Sequence, residues 1–405
     1  MEVVEGKAFI NGKIRKASIG IENGKIVAIK KILYGKTRSY RGLIFPSGID
    51  VHVHFREPGY EYKEDFFTGS RAAAQAGVTA IFDMPNNKPA IMNSETFREK
   101  IEKIRHKAWV DYGLYAGVSK DMVKRANLFK LYLSGDNEIF VDYDELPSLF
   151  KKIKERNAIL AIHAEDKDCV NRAGKNLKEY EKNSPIECEE KAVKRIIKAN
   201  KDIKAKLHIC HVTSKETAEL LLKNKISFGV TLHHILFSHE SQFKKIAMGK
   251  VNPPLRDERT RKKLFGMVMK GKIPIIESDH APHSIEEKEN FEIAPAGMPG
   301  VDALLPVMLY FVKKGMISLK NLYKMVAGEP AKLMEINKGA IAVGKDADFI
   351  VIDFKKVEKV KALSKCGWNA YEEMSAVYPI HVWMRGNEIV ENGMPVGEPM
   401  GERIK

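Results

Sequence analysis

Eight short apolar runs rich in β-branched residues alternate with charged, helix-length segments through the middle of the chain, and this alternation limits the fold more than any other feature. The runs are Leu43 to His54, Val78 to Met84, Val110 to Val118, Leu128 to Leu133, Ala158 to His163, Lys206 to Val212, Ile226 to Leu232 and Ile273 to Ser278. Eight strands, most of them followed by a helix-length spacer, predict an α/β chain built as a (β/α)8 TIM-type barrel, whose chemistry sits at the C-terminal ends of the strands. Both chain ends read differently. Lys7 to Gly12 and Ile21 to Ile29, then Gly339 to Asp353 and Val382 to Gly393, have the texture of short strands joined by tight Gly turns. The expected organisation is therefore a barrel over residues 46–335 and a small β-sandwich domain assembled from residues 1–45 and 336–405. No repeat of 20 to 50 residues and no low-complexity tract competes with this reading.

At 405 residues, 44% of them hydrophobic and 30% charged, the chain has ample material for a large core, which excludes disordered and fibrous classes. No apolar run approaches the roughly 18 residues a membrane span needs, and no leader pattern is visible, so a cytoplasmic protein without membrane contact is expected. The four cysteines, Cys169, Cys188, Cys210 and Cys366, have no CxxC spacing and are too sparse for a disulfide scaffold, which suits a reducing compartment. The formal charge of +15 raises nucleic-acid binding. Its lysines, however, are interspersed with acids along helical segments such as Glu99 to Lys107 and Glu189 to Lys206, so a solvated charged surface is expected and no nucleic-acid partner.

The polar residues at the strand ends carry the chemistry. In Asp50-Val-His-Val-His54 the period-two alternation of a strand puts His52 and His54 on one face, about 7 Å apart along the chain. His163 and His211 each close a predicted strand, and Asp279 ends the eighth. Five N/O donors on one rim of a barrel point to metal, with zinc favoured and manganese or cobalt able to substitute. Lys130 lies inside the apolar strand Leu128-Phe-Lys-Leu-Tyr-Leu133, where an unpartnered ammonium would be costly. Two readings stand at this point: carbamylation by CO2 into a carboxylate-like bridge, or a strand-edge lysine that reaches solvent. His208 has the wrong strand parity to join His211, and His233 and His234 are expected to be structural.

The segments Gly48-Ile-Asp-Val-His-Val-His-Phe-Arg-Glu-Pro-Gly59, Met84-Pro-Asn-Asn-Lys88, Lys130-Leu-Tyr-Leu133, His163-Ala-Glu-Asp166 and Ser278-Asp-His-Ala-Pro-His283 together resemble the class I dihydroorotases of the amidohydrolase superfamily, along essentially the whole chain. The resemblance implies two zinc ions per subunit, one on His52 and His54 and the other on His163 and His211, bridged by carbamylated Lys130, with Asp279 both ligand and catalytic acid/base. It also implies that the substrate contacts His54, Arg56, Asn86, Asn252, His283, Ala296 and Gly297. Around the last pair, Pro295-Ala-Gly-Met-Pro-Gly300 departs from the family's usual aromatic-Gly pattern.

A zinc pair would supply an activated water for attack on a ring amide carbonyl, and Asp279 would move the proton to the leaving nitrogen. The expected substrates are N-carbamoyl-L-aspartate and L-dihydroorotate, interconverted in pyrimidine (UMP) biosynthesis. Allantoinases and hydantoinases share the metal motif. Arg56 separates them, because a guanidinium matches the ring carboxylate that dihydroorotate carries and allantoin and hydantoins lack. A silent scaffold homologue is disfavoured because no metal ligand is missing. The resemblance also allows a homo-oligomer or association with aspartate carbamoyltransferase. Ser134-Gly-Asp-Asn-Glu138, polar and Gly-containing, is the candidate lid.

Overall fold

The structure is a computed structural model that describes residues 1–405. The first 46 residues form strands β1 (Glu2–Ile10), β2 (Lys13–Glu22), β3 (Lys25–Lys30) and β4 (Lys36–Pro46). The barrel strands follow: β5 (Gly48–Val53), β6 (Val78–Asp83), β7 (Asp111–Leu114), β8 (Ala116–Gly117), β9 (Leu128–Tyr132), β10 (Ile159–His163), β11 (Lys206–Ile209), β12 (Ser227–Thr231) and β13 (Ile275–Glu277). The chain ends with β14 (Phe349–Ile352), β15 (Glu358–Lys359), β16 (Ser375–Ala376), β17 (Pro379–Met384), β18 (Asn387–Glu391) and β19 (Met394–Pro395).

All eight predicted runs supply barrel strands. The third is interrupted at Tyr115, so β7 pairs with β6 and β8 pairs with β9. Every pairing from β5 to β7 and from β8 to β13 is parallel. The ring closes where the His54 N–H donates to the His280 carbonyl at 2.7 Å. Helices between strands start where the sequence supplies caps. Asp65 with Thr68 and Asn93 with Thr96 form reciprocal capping boxes ahead of helices Phe66–Gln75 and Ser94–Ile104. Inside the ring an apolar plug that includes Val51, Ala80, Phe82, Leu128, Ile159, Ala161 and Ile275 fills the lower layers. Polar groups at the strand ends therefore rest on a dry floor.

The chain ends build one continuous eight-stranded sheet, in the order β19-β18-β17-β14-β4-β1-β2-β3, around its own core of Ile19, Ile26, Ile44, Phe349 and Trp383 among others. Residues 336–405 do not all belong to it. Trp368, Tyr371 and Tyr378 are too large and apolar to leave in water, and they carry the segment around them into the main core beside the barrel. The last residues run along β7, where the Tyr112 N–H donates to Glu402 at 2.9 Å.

Two further expectations are corrected. Cys169 and Cys188 form a disulfide, with Cα atoms 5.4 Å apart. The loop after β10 folds back on helix Ile186–Asn200, a proximity that a 19-residue separation does not advertise. The lysines are also less dispersed than their spacing implies. Two cavities at the N-terminal ends of β9–β13, of about 850 and 1050 Å³, are lined by Lys124, Arg125, Lys198, Lys201, Lys204 and Lys225 among others, on the face opposite the strand ends that carry the histidines. No helix is long and apolar enough to cross a membrane.

Lys338 pins the accessory sheet to the barrel. Its buried ammonium lies 2.7 Å from Asp111 on β7 and 2.7 Å from Asp348 just before β14, and Asp348 also accepts from Thr79 on β6 at 2.7 Å. Removing one member of such a buried cluster strands the others without a counter-charge. Lys338→Met is expected to lower unfolding free energy by about 3–5 kcal/mol, read from urea denaturation; a loss within error would show that the cluster contributes little.

Candidate active site

Strand direction puts the C-terminal ends of β5, β6, β9, β10, β11 and β13 around one cavity of about 180 Å³. Its lining includes His52, His54, Arg56, Asn86, Lys130, His163, His211, Asn252, Asp279, Ala296 and Gly297. His283 stands directly behind it, with Nε2 3.1 Å from the Ala296 carbonyl. The structure thus gathers every residue singled out from the sequence in one place. Of the lid candidate, Ser134, Asp136 and Asn137 line the same cavity.

The histidines meet nitrogen to nitrogen. His52 Nε2 lies 3.2 Å from His54 Nε2, and both lie against Asp279 Oδ1, at 3.2 and 3.0 Å. His163 Nδ1 lies 3.1 Å from His211 Nε2. The tautomers follow from the outer partners. His54 Nδ1 is 2.6 Å from Asn86 Oδ1, and His163 Nε2 is 2.7 Å from Glu165. Each outer nitrogen therefore holds the ring proton, and each inner nitrogen presents a lone pair. Lone pairs and a carboxylate gathered about common points are a donor set that calls for cations. The residues present fit a metal centre.

Electrostatics agree. Burial lowers His54 to about 3, and burial together with His163 holds His211 well below the ordinary imidazole range, so both stay neutral. Burial would raise Asp279, yet His52, His54 and His211 hold it well below the usual carboxylate range. Burial and Lys130 pull His52 down, but Asp279 and Cys210 push it up to about 10. A cation bound beside the His52–Asp279 contact, 3.2 Å across, would compete with a proton for the same atoms.

Lys130 is fully buried, which removes the strand-edge reading. Its Nζ lies 3.2 Å from Cys210 Sγ and 4.8 Å from the Tyr132 ring, and it forms no ion pair.

Three site residues, Arg56, His211 and Asp279, have φ of 64°, 40° and 46°. The left-handed region is costly for such side chains and persists where surrounding structure over-determines it, typically at functional sites. Gly297, at φ 137°, has no such freedom to give up: an added Cβ would sit 2.6 Å from the Ala281 carbonyl.

Several supporting groups escaped the sequence reading. Glu277 accepts from the His211 N–H at 2.6 Å and lies 3.2 Å from His208 Nε2 and 3.6 Å from His52 Nδ1. Gly229 leaves it room, since a Cβ there would meet the Glu277 carboxyl at 2.4 Å. Glu165 takes a two-pronged contact from Arg172, which also donates to Asp136 at 2.8 Å. Both glutamates carried a signal in the sequence, lying two residues from His163 and Asp279 at predicted strand ends, although the strands themselves stop at His163 and Glu277. Arg172, in an irregular loop, carried none. Of the two histidines expected to be structural, His234 bonds Thr231 and the Pro253 carbonyl at 2.6 and 2.9 Å, whereas His233 is buried with neither ring nitrogen hydrogen-bonded; His208, set aside for its parity, lies 2.9 Å from Ser227 and 3.2 Å from Glu277.

A closed parallel barrel with imidazoles, a buried lysine and a carboxylate converging at its strand ends defines a barrel hydrolase of the metal-centre type. The Amidohydrolase family matches residues 43–387, and the chain belongs to that family. It is 33% identical over 421 residues to the dihydroorotase of Archaeoglobus fulgidus, covering 99% of this chain and 100% of the relative. To the dihydroorotase of Thermoplasma volcanium it is 36% identical over 410 residues, covering 98% and 96%. Among solved structures, the L-hydantoinase (dihydropyrimidinase) of Arthrobacter aurescens superposes with a TM-score of 0.92 at 25% identity, over 99% of this chain and 98% of that one.

Glu165 fixes the orientation of His163, and such outer partners are worth about 10–100-fold in metal affinity. Glu165→Gln is expected to weaken zinc binding by that factor at one of two sites, measured by competition with a chromogenic chelator. Unchanged affinity at both sites would remove Glu165 from the centre.

Proposed function

We propose that this chain catalyses the dihydroorotase reaction, the reversible cyclisation of N-carbamoyl-L-aspartate to L-dihydroorotate in pyrimidine biosynthesis. The observation that carries the reading is Arg56, whose buried guanidinium lies 3.1 Å from His283 Nε2 on the wall of the donor-rich cavity. A cationic corner there suits a substrate carboxylate. Hydantoinase chemistry shares the fold but offers this corner no anion.

In the proposal His52 and His54 would hold one zinc and His163 and His211 the other, with Lys130, once carbamylated, and Asp279 as further donors. When bound, the metals supply an acidified water and polarise the ring amide carbonyl. Asp279 takes the proton from the attacking water and delivers it to the departing ring nitrogen. In the opposite direction it takes the ureido N–H proton as the C–N bond forms, and returns it to the carboxylate oxygen, which leaves as hydroxide and takes a second proton from solvent to become water. Arg56, Asn86, Asn252, His283 and the backbone at Ala296 and Gly297 orient the substrate. Asn252 is itself oriented by the Tyr180 hydroxyl, which donates to Oδ1 at 2.6 Å. The proposal takes residues 46–335 as the catalytic unit in a cytoplasmic enzyme, alone, as a homo-oligomer or with aspartate carbamoyltransferase. A disulfide does not exclude that location, since intracellular proteins of hyperthermophiles contain them.

Zinc-loaded protein is expected to turn over L-dihydroorotate and N-carbamoyl-L-aspartate, and to leave allantoin and hydantoin untouched; the reverse pattern would replace the substrate assignment. Arg56→Ala should raise KM for dihydroorotate strongly while zinc content stays constant. Metal-stripped protein reloaded in CO2-depleted buffer should take up less zinc than with bicarbonate present. Equal uptake would refute the carbamylated bridge.

A further inference from the structure

Around the His283 imidazole, donors outnumber acceptors. Nδ1 faces Lys63 Nζ at 3.1 Å, while Nε2 lies 3.1 Å from both Arg56 Nη2 and the Ala296 carbonyl. An ammonium has no lone pair, so Nδ1 must accept from Lys63 and the ring's single proton sits on Nε2, where Ala296 receives it. Lys63 is held in place. It is 6% exposed, its Nζ is 2.7 Å from Glu287 Oε1, and it lies over the rings of Tyr60 and Tyr62 at 5.1 and 5.3 Å. With a proton on Nε2, Arg56 Nη2 meets a second donor. The Ala296 carbonyl serves the imidazole proton but not Arg56 Nη2, and an anionic oxygen beside the pair would accept from Arg56 and share the Nε2 proton.

We propose that Lys63 is a positioning residue that occupies Nδ1, holds His283 as its neutral Nε2–H tautomer, and thereby makes the imidazole a partner of Arg56 in gripping the substrate carboxylate. The inference rests on the reaction proposed above and adds the group that determines how its carboxylate corner is protonated. Other charges facing His283 are consistent with a neutral ring: Arg56, Lys63 and Lys288 oppose an imidazolium, and Glu287 alone favours one. Without Lys63, the nearest acceptor for Nδ1 is Glu287 Oε2, 3.7 Å away. The ring proton would move to Nδ1 and Nε2 would turn a lone pair toward the carboxylate. Only protonation of the ring would restore the second donor.

Nitrogen-15 spectra of the zinc-loaded wild-type protein without substrate test the tautomer directly, with the His283 signal assigned by its loss in His283→Asn. A bare Nδ1 and a protonated Nε2, unchanged from about pH 6 to about pH 8, are expected. A protonated Nδ1 would overturn the proposal, and this readout decides even if dihydroorotate is not turned over, a failure that would strike the reaction assignment alone. In Lys63→Met the KM for dihydroorotate should rise about 10–100-fold at the upper pH, with kcat changing less. The ratio to wild type should shrink as pH falls through the imidazole range, and Lys63→Arg should recover most of the loss. An unchanged KM, or a rise that ignores pH, would also overturn it.

Discussion

Glu277 is the carboxylate on which the rest of the centre depends. It is wholly buried, where an unpartnered charge would be prohibitive, and it remains ionised because its neighbours are donors: burial pushes it up, but His208 and His52 hold it well below the carboxylate range. Its oxygens reach the β11 backbone at His211 and the side of His52 on β5, and so tie both halves of the histidine cluster to the last barrel strand. Two residues further on, Asp279 points into the same layer and meets His52 and His54. The last barrel strand and the residues just past it thus bring two carboxylates, Glu277 and Asp279, to one histidine cluster. Gly229 on the neighbouring strand is the cost of admitting the first, because no side chain fits beside it.

The strain at the rim has the same origin. A strand that simply ended would aim its last side chains alternately up and out, whereas this site needs imidazole, guanidinium and carboxylate turned toward one point. The left-handed backbone at Arg56, His211 and Asp279 makes that turn at three strand ends. Each such residue costs on the order of 1–3 kcal/mol, which the apolar plug beneath and the parallel ladder around them can hold. The conformation is therefore fixed before any ligand arrives, and this is how a centre of converging lone pairs is kept from relaxing apart.

Much of this was legible in the sequence because barrel strands impose periodicity. Apolar runs marked all eight strands, and their polar ends marked His52, His54, His163, His211 and Asp279, since a residue at a strand's C-terminal end has only one layer to enter. Lys130 was visible as a charge inside an apolar run, and burial set aside only its strand-edge reading. What stayed hidden depends on loops or on contacts remote in sequence. Arg172 reaches Glu165 from an irregular loop, and the Cys169–Cys188 bridge follows from how that loop lies on the next helix. The tyrosines and tryptophan of the C-terminal segment looked like part of a β domain, because apolar content alone does not say which core will take it. The cationic cavities at the barrel's base come from separate βα units brought side by side, which linear spacing cannot display.

The near-coincidence with a hydantoinase fold, at a TM-score of 0.92, shows how little of the backbone bears on substrate choice. Both chemistries need the same polarised amide and the same acid/base, so the metal layer has no reason to differ. Discrimination must come from groups that meet the parts of the ring not undergoing reaction. In this chain Arg56 is the cationic group on the cavity wall, with Lys63, Lys288 and the Glu287 carboxylate packed around it rather than lining the cavity. Burial lowers Lys288 well below its ordinary range, as expected for a cation packed beside other cations with too few counter-charges. Lys63 and Lys288 already have protein acceptors, Glu287 and the Pro295 carbonyl, each at 2.7 Å, so Arg56 is the group with most to gain from a carboxylate. A neutral ring would offer Arg56 no anion, and discrimination by an unmet polar group is stronger than a preference built from apolar contact.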